Sequence, residues 1–181
     1  MIADHLARAG VKKFILIDGA KLDAPDLKRQ WTFNTGGIGQ AKVELLARHL
    51  AGLGAEECRI FQRMLFSDAD LDGLVETSLD LIVCAADKPR FVIEKLVLSL
   101  AERIDAPVLF GSVGLCEDHV GEVLVGSAAR AAERARLVRE EGCGIDAKVG
   151  RGSLCFTNTM TATRIGYKAY RFLLGMRVTQ D

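Results

Sequence analysis

Apolar residues along this chain alternate between two patterns. Residues 13–18 (KFILID) and 79–85 (LDLIVCA) are short and almost continuously apolar, as strands buried on both faces are. Residues 40–53 instead place Val43, Leu46, Ala47 and Leu50 on one side of a helix. The same reading predicts a first helix over 2–9, closed by Gly10. It predicts a strand over 59–65, a short acidic helix over 68–76, and a long helix over 89–103 with Pro89 near its start, where proline is tolerated. Strands follow at 108–113 and 120–125, the second placed to pair with the first. Residues 23–37, with Pro25 and paired glycines, have turn chemistry.

Strands alternating with helices imply an α/β fold with a doubly wound, mainly parallel sheet and right-handed crossovers. Such sheets bind ligands beyond the carboxyl ends of their strands. Asp18 and Asp87 both stand at or just after a strand end, which places two carboxylates on one rim. The stretch 128–141 (AARAAERARLVREE) reads as an exposed helix carrying charge pairs one turn apart. Residues 142–152 form a glycine-containing crossing segment. Residues 154–174 return to helix, and Gly175 ends it. Small and hydroxyl residues at the start of that helix (Thr157, Thr159, Thr161, Ala162 and Thr163) suit close packing against another helix or a partner. No repeat or low-complexity linker divides the chain. It reads as one domain over 1–181, with a nucleotide-binding core at 1–127 and the crossing segment and last helix at 128–181.

Composition narrows the function. Lys plus Arg and Asp plus Glu are both 24, so no basic field for nucleic acid or anionic membrane is expected. No apolar run reaches the roughly 20 residues that span a bilayer. The first residues, MIADHLARAGVKK, lack the apolar core of a secretory signal. The expected location is the cytoplasm. Five cysteines, none in a CxxC pair, argue against both a zinc module and a disulfide framework. Cys143, between two glycines, is the one expected to be accessible; no neighbouring base marks it as reactive. His5, His49 and His119 form no triad with a serine and an aspartate.

The stretch 23–42, DAPDLKRQWTFNTGGIGQAK, carries the remaining chemistry. Asp18, just before it, can bind ribose hydroxyls or serve only as a strand-end turn residue. Arg29 can grip phosphate as a planar fork and Lys42 as a point charge; either alone also reads as a surface cation. Asp87 can hold Mg²⁺ through one carboxylate oxygen and water, or cap the helix that follows. Together these groups suit a nucleoside triphosphate and its metal.

In this order the residues resemble the ThiF/MoeB-type adenylyltransferases, relatives of the ubiquitin-activating enzymes. LARAGVKKFILID is similar to the end of that family's first helix and its second strand. DLKRQ resembles its Asn-Leu-x-Arg-Gln signature, and GIGQAKVELLARHL its lysine-bearing helix. LDLIVCAADKPR resembles the strand that ends in aspartate. VLFGSVGLCEDHVGEVLV resembles the next pair of strands, and RFLLG the end of the last helix. The resemblance implies a Rossmann-like sheet, ATP and Mg²⁺, and adenylation of the C-terminal carboxylate of a small protein or peptide, activating it for sulfur transfer or conjugation. By position it implies Asp18 on the ribose, Arg29 and Lys42 on the phosphates, Gln30 as loop support and Asp87 on the metal. It also implies a homodimer.

Departures accompany it. The family's signature asparagine is Asp26 here, its Asp-x-Asp is Asp18-Gly19-Ala20, and its Asp-Asn is Asp87-Lys88. The glycine-rich loop and first strand have no counterpart from Met1 onward. Either the chain is a shortened product, or it is a non-catalytic scaffold or pseudoenzyme that binds a peptide or ubiquitin-like partner, with another chain supplying the strand. An NAD-dependent oxidoreductase is a third reading, but it leaves Arg29, Gln30 and Lys42 without work.

Overall fold

The computed structural model describes residues 1–74, 78–86, 88–113, 118–143 and 154–176. The chain opens with α1 (Ile2–Arg8), which ends at Ala9, followed by Gly10 at φ +99°, a left-handed exit that favours glycine. Strand β1 (Lys13–Ile17) leads through the loop of interest into α2 (Lys42–Gly52), and β2 (Glu57–Phe61) returns parallel to β1, Lys13 opposite Glu57 and Ile17 opposite Phe61. Beyond a 3-10 turn at Asp68–Leu71 come β3 (Ile82–Cys84), α3 (Val92–Ile104), β4 (Val108–Val113) and β5 (Asp118–Leu124). Two helices complete the order, α4 (Gly126–Gly142) and α5 (Cys155–Leu173).

The fold is α/β, as the pattern predicted, with β3 parallel to β4 and β5 antiparallel to it. The strands form two ladders, β1-β2 and β3-β4-β5. No ladder joins β1 to β3 among the described residues. A cavity of about 520 Å³ lies where the two strands begin, lined by Val11, Lys12, Lys13, Asp80, Phe172 and Leu173.

Apolar packing covers both faces. On one, Ile93, Leu96, Val97 and Leu100 of α3 pack with Cys84, Val108 and Leu137, and Ile17 and Phe61 reach the same cluster. On the other, Ile165 and Ala169 of α5 pack with Leu6 of α1 and Leu109 of β4, and Phe14 and Val83 join them. The small residues of α5 permit this: a side-chain carbon on Gly166 would come within 3.2 Å of His5 Cβ. The hydroxyl of buried Thr161 bonds back to the Thr157 carbonyl one turn earlier, which satisfies it inside the packed layer, and that of exposed Thr163 does the same to Thr159.

Several predicted boundaries shift. The second strand runs over Glu57–Phe61, not 59–65, because the Arg63 N–H turns back to the Phe61 carbonyl and ends the extended run. The acidic helix is only a 3-10 turn, Asp68–Leu71, and its predicted end at 75–76 lies outside the described residues. The helix expected from Pro89 starts at Val92, since Phe91 takes a left-handed conformation (φ +62°) at the cap. The residue at the cap position is Phe91, and Asp87 lies outside the described residues. Helix α4 is not merely solvated: Leu137 is buried, and Arg130, 3% exposed, reaches the turn between α3 and β4, to the Ala106 carbonyl at 3.0 Å and Asp105 at 2.6 Å.

Candidate anion site

The loop between β1 and α2 is closed on itself by backbone bonds. Asp18, one residue past β1, accepts the Ala20 N–H on Oδ1 at 2.8 Å, and the Ala20 carbonyl accepts the N–H of Lys42 at 3.0 Å. Lys21 bridges Ala41, Leu22 N–H donates to Gln40, and Gly39 N–H donates to Leu22. Leu22, 1% exposed, plugs the centre. Gly19 lies so close to the segment after β2 that an added Cβ would stand 2.7 Å from Met64 N and 2.9 Å from Arg63 C. The strand-end aspartate and the helix-start lysine, well separated in sequence, are thus held on one frame.

Inside the loop, Pro25 starts a 3-10 turn over Ala24–Lys28. Asp23 caps it, accepting the Asp26 N–H at 3.1 Å, and Asp26 answers by accepting the Asp23 N–H at 3.3 Å, a reciprocal capping box. This fixes the Asp26 carboxylate, only 2% exposed. Its Oδ1 accepts from Arg29 Nη2 at 2.6 Å and its Oδ2 from Lys42 Nζ at 2.7 Å. The two cations assigned to phosphate therefore meet on one carboxylate. Burial alone would push the Asp26 carboxyl up. The Lys42 hydrogen bond, the contacts to Asp23 and the Lys42 charge outweigh it and hold the carboxyl below the usual aspartate range.

Lys42 is the first residue of α2, and Ala41 before it provides no capping side chain. The positive end of that helix adds to the local field. Two cations, one carboxylate and a helix start leave a net positive site with one buried anion already in it. Such a site can hold a phosphate through the guanidinium and ammonium donors that Asp26 does not use.

Asn158 joins the site from the far end of the chain. From the first turn of α5 its Nδ2 donates to the Arg29 carbonyl at 3.1 Å, while its buried Oδ1 has no partner among the described residues. Sequence reasoning passed over Asn158, since nothing local marks an asparagine among threonines as a contact to a loop so distant. It noted Asp26 only as a departure. Gln30 helps the loop through its backbone, donating to the Asp26 carbonyl at 2.8 Å and accepting from Phe33 at 3.2 Å; no side-chain bond of Gln30 is present among the described residues.

Asp87 lies outside the described residues, and its placement relative to Asp18, Arg29 and Lys42 is not part of this geometry. Among the described residues, no group of three or more His, Cys, Asp or Glu side chains is placed to hold a metal ion. Magnesium therefore rests on the resemblance alone. Cys143 is exposed at the end of α4, and the described cysteines are free thiols. His49 and His5 have structural partners: His49 Nε2 meets the fully buried Asp4 at 2.5 Å, and His5 meets Thr163 at 3.2 Å. No helix among the described residues is long and apolar enough to cross a membrane.

Comparison with known proteins gives a consistent picture. A model of the ThiF family matches residues 1–179. The tRNA threonylcarbamoyladenosine dehydratase of Bacillus subtilis (strain 168) is 28% identical over 85 residues, 47% of this chain and 34% of that protein. The structure of E. coli MccB with ATP aligns at a TM-score of 0.72 and 19% identity over 95% of this chain and 52% of its own. MccB with AMPCPP and the selenomethionine form of MccA gives 0.74 at 19% identity over 95% and 51%. PaaA gives 0.73 at 19% identity over 99% and 53%. At these identities the structural likeness is one of fold. The chain spans 34% of the curated relative and 51–53% of these solved chains.

Proposed function

The chain belongs to the ThiF family, and from that premise we propose that it takes part in ATP-dependent adenylation of the C-terminal carboxylate of a small protein or peptide. The observation that supports this most directly is the convergence of Arg29 and Lys42 on Asp26 within the loop that opens at the strand-end carboxylate Asp18. ATP supplies the adenylyl group when bound. The acyl carboxylate oxygen forms a bond to the α-phosphorus as the bond to pyrophosphate breaks. Arg29 and Lys42 offset the charge that gathers on the leaving pyrophosphate, acting from fixed positions in a partly buried loop. Asp18 spends Oδ1 on Ala20 and has Oδ2 for a ribose hydroxyl. Mg²⁺ at Asp87, activation for sulfur transfer or conjugation, and a cytoplasmic setting belong to the same proposal through the family resemblance. A homodimer is supported by the exposed stripe of Phe156, Met160 and Tyr167 on α5 and Leu174 at its C-cap.

A second reading, a non-catalytic scaffold for a peptide or ubiquitin-like partner, is favoured by Asp26, which cancels part of the charge a triphosphate needs. The two readings separate in one assay. ATP–pyrophosphate exchange by the full natural protein, with candidate C-terminal peptides added, is expected to occur and to fail in Lys42→Met. Peptide binding indifferent to ATP, with no exchange, supports the scaffold and overturns adenylation.

A further inference from the structure

We propose that Asp26 is a positioning residue that sets the charge of the anion site: it holds both Arg29 and Lys42 and lowers the charge they offer a ligand, so a highly charged phosphate chain binds less tightly than it would to the two cations alone. The inference rests on the reading of Arg29 and Lys42 as phosphate ligands. The geometry behind it is direct. Asp26 is 2% exposed, and its two oxygens face the two cations, Oδ1 toward Arg29 at 2.6 Å and Oδ2 toward Lys42 at 2.7 Å. The capping box with Asp23 prevents the carboxylate from swinging out. The Arg29 side chain is 35% exposed and that of Lys42 14%, while the carboxylate of Asp26 is 3% exposed, so solvent and a ligand reach the cations more readily than the anion between them.

A ligand phosphate binds above this cluster and meets two positive charges and one negative, a sum of plus one. With asparagine at position 26 the same side-chain shape carries no charge, and the sum becomes plus two. A charge a few ångströms from a bound anion changes its affinity by on the order of tenfold or more at the partly buried dielectric of such sites. The effect grows with the charge of the anion.

The test uses the full chain, calorimetry and two plain anions, inorganic phosphate and tripolyphosphate, across a series of salt concentrations. Asp26→Asn is expected to bind tripolyphosphate about tenfold more tightly than the unaltered protein, with a smaller gain for phosphate and a steeper salt dependence. A role confined to holding the loop would not move the charge ladder or the salt slope. Asp26→Asn with equal or weaker tripolyphosphate binding, or no binding by either protein, overturns the inference. If Asp26→Asn folds poorly, Asp26→Glu, which keeps the charge on a longer arm, provides the second comparison: it is expected to leave the salt slope as it is, and a slope as steep as that expected for the asparagine variant overturns the inference too. These readings need no chemistry, so the charge role can stand while pyrophosphate exchange fails, and the reverse.

Discussion

Asn158 Nδ2 donates to the carbonyl oxygen of Arg29 across 3.1 Å, tying the last helix to the cation loop. Without it the Arg29 carbonyl loses a partner in a partly buried setting, a loss of about 1 kcal/mol. Asn158→Ala is therefore expected to lower stability by that amount in urea titration. It is also expected to weaken tripolyphosphate binding several-fold, because Arg29 is then held from one side only. Unchanged anion affinity would show that α5 has no part in positioning the cation.

Gly19 is where the loop depends on the absence of a side chain. A methyl group there meets Met64 and Arg63 backbone atoms at 2.7 and 2.9 Å, and backbone cannot yield as a side-chain tip can. Gly19→Ala is expected to cost about 1–3 kcal/mol and to displace Asp18. A thermal midpoint within a degree of the unaltered protein would contradict this packing.

Acid should weaken the fold through two buried carboxylates. In Asp4 burial acts to raise the pKa, but hydrogen bonds from His49 and Arg8 outweigh it, and the carboxyl is held down, as in Asp26. A depressed folded pKa means that the unfolded chain binds more protons in the acid range. The stability these groups contribute is present above the ordinary aspartate pKa of about 3.9 and is lost as pH falls through the lower folded values. Urea midpoints measured between about pH 5 and pH 2.5 should fall toward the acid end. The double variant Asp4→Asn with Asp26→Asn should flatten that slope; a slope left intact would assign acid sensitivity to other groups.

Glu94 has the opposite sign. Burial is the largest influence and raises its carboxyl, and its Oε2 has no hydrogen-bond partner among the described residues. Glu94→Gln removes the desolvated charge and is expected to raise the thermal midpoint at neutral pH by a few degrees. A lower midpoint would mean that attraction to Arg90 and Arg136 outweighs the burial.

The order of elements was readable because both periodicities are strong: β1 and β4 are nearly continuous apolar runs, and α2 and α3 carry one apolar face each. Ends were less legible where local interactions decide them. Nothing in CRIFQRMLF says that Arg63 will turn back on Phe61. The alanine, arginine and glutamate of α4 look solvated because the partners of Arg130, Asp105 and Ala106, are remote in sequence. At the site, Asp18 and Lys42 were legible as residue types at a strand end and a helix start and Arg29 as a loop cation, while the meeting of Arg29 and Lys42 on Asp26 needed the fold of the whole loop. Asn158 was invisible for the same reason.

Arg29 and Lys42 are proposed as the phosphate grip of an adenylate-forming site. ATP binding by calorimetry to the full natural protein, to Arg29→Gln and to Lys42→Gln tests it most directly. The account predicts binding by the unaltered protein and a loss of about tenfold or more in each variant, as expected for removing a charged phosphate contact. Equal ATP affinity in all three proteins, or none in any, would contradict it and turn attention to the scaffold reading.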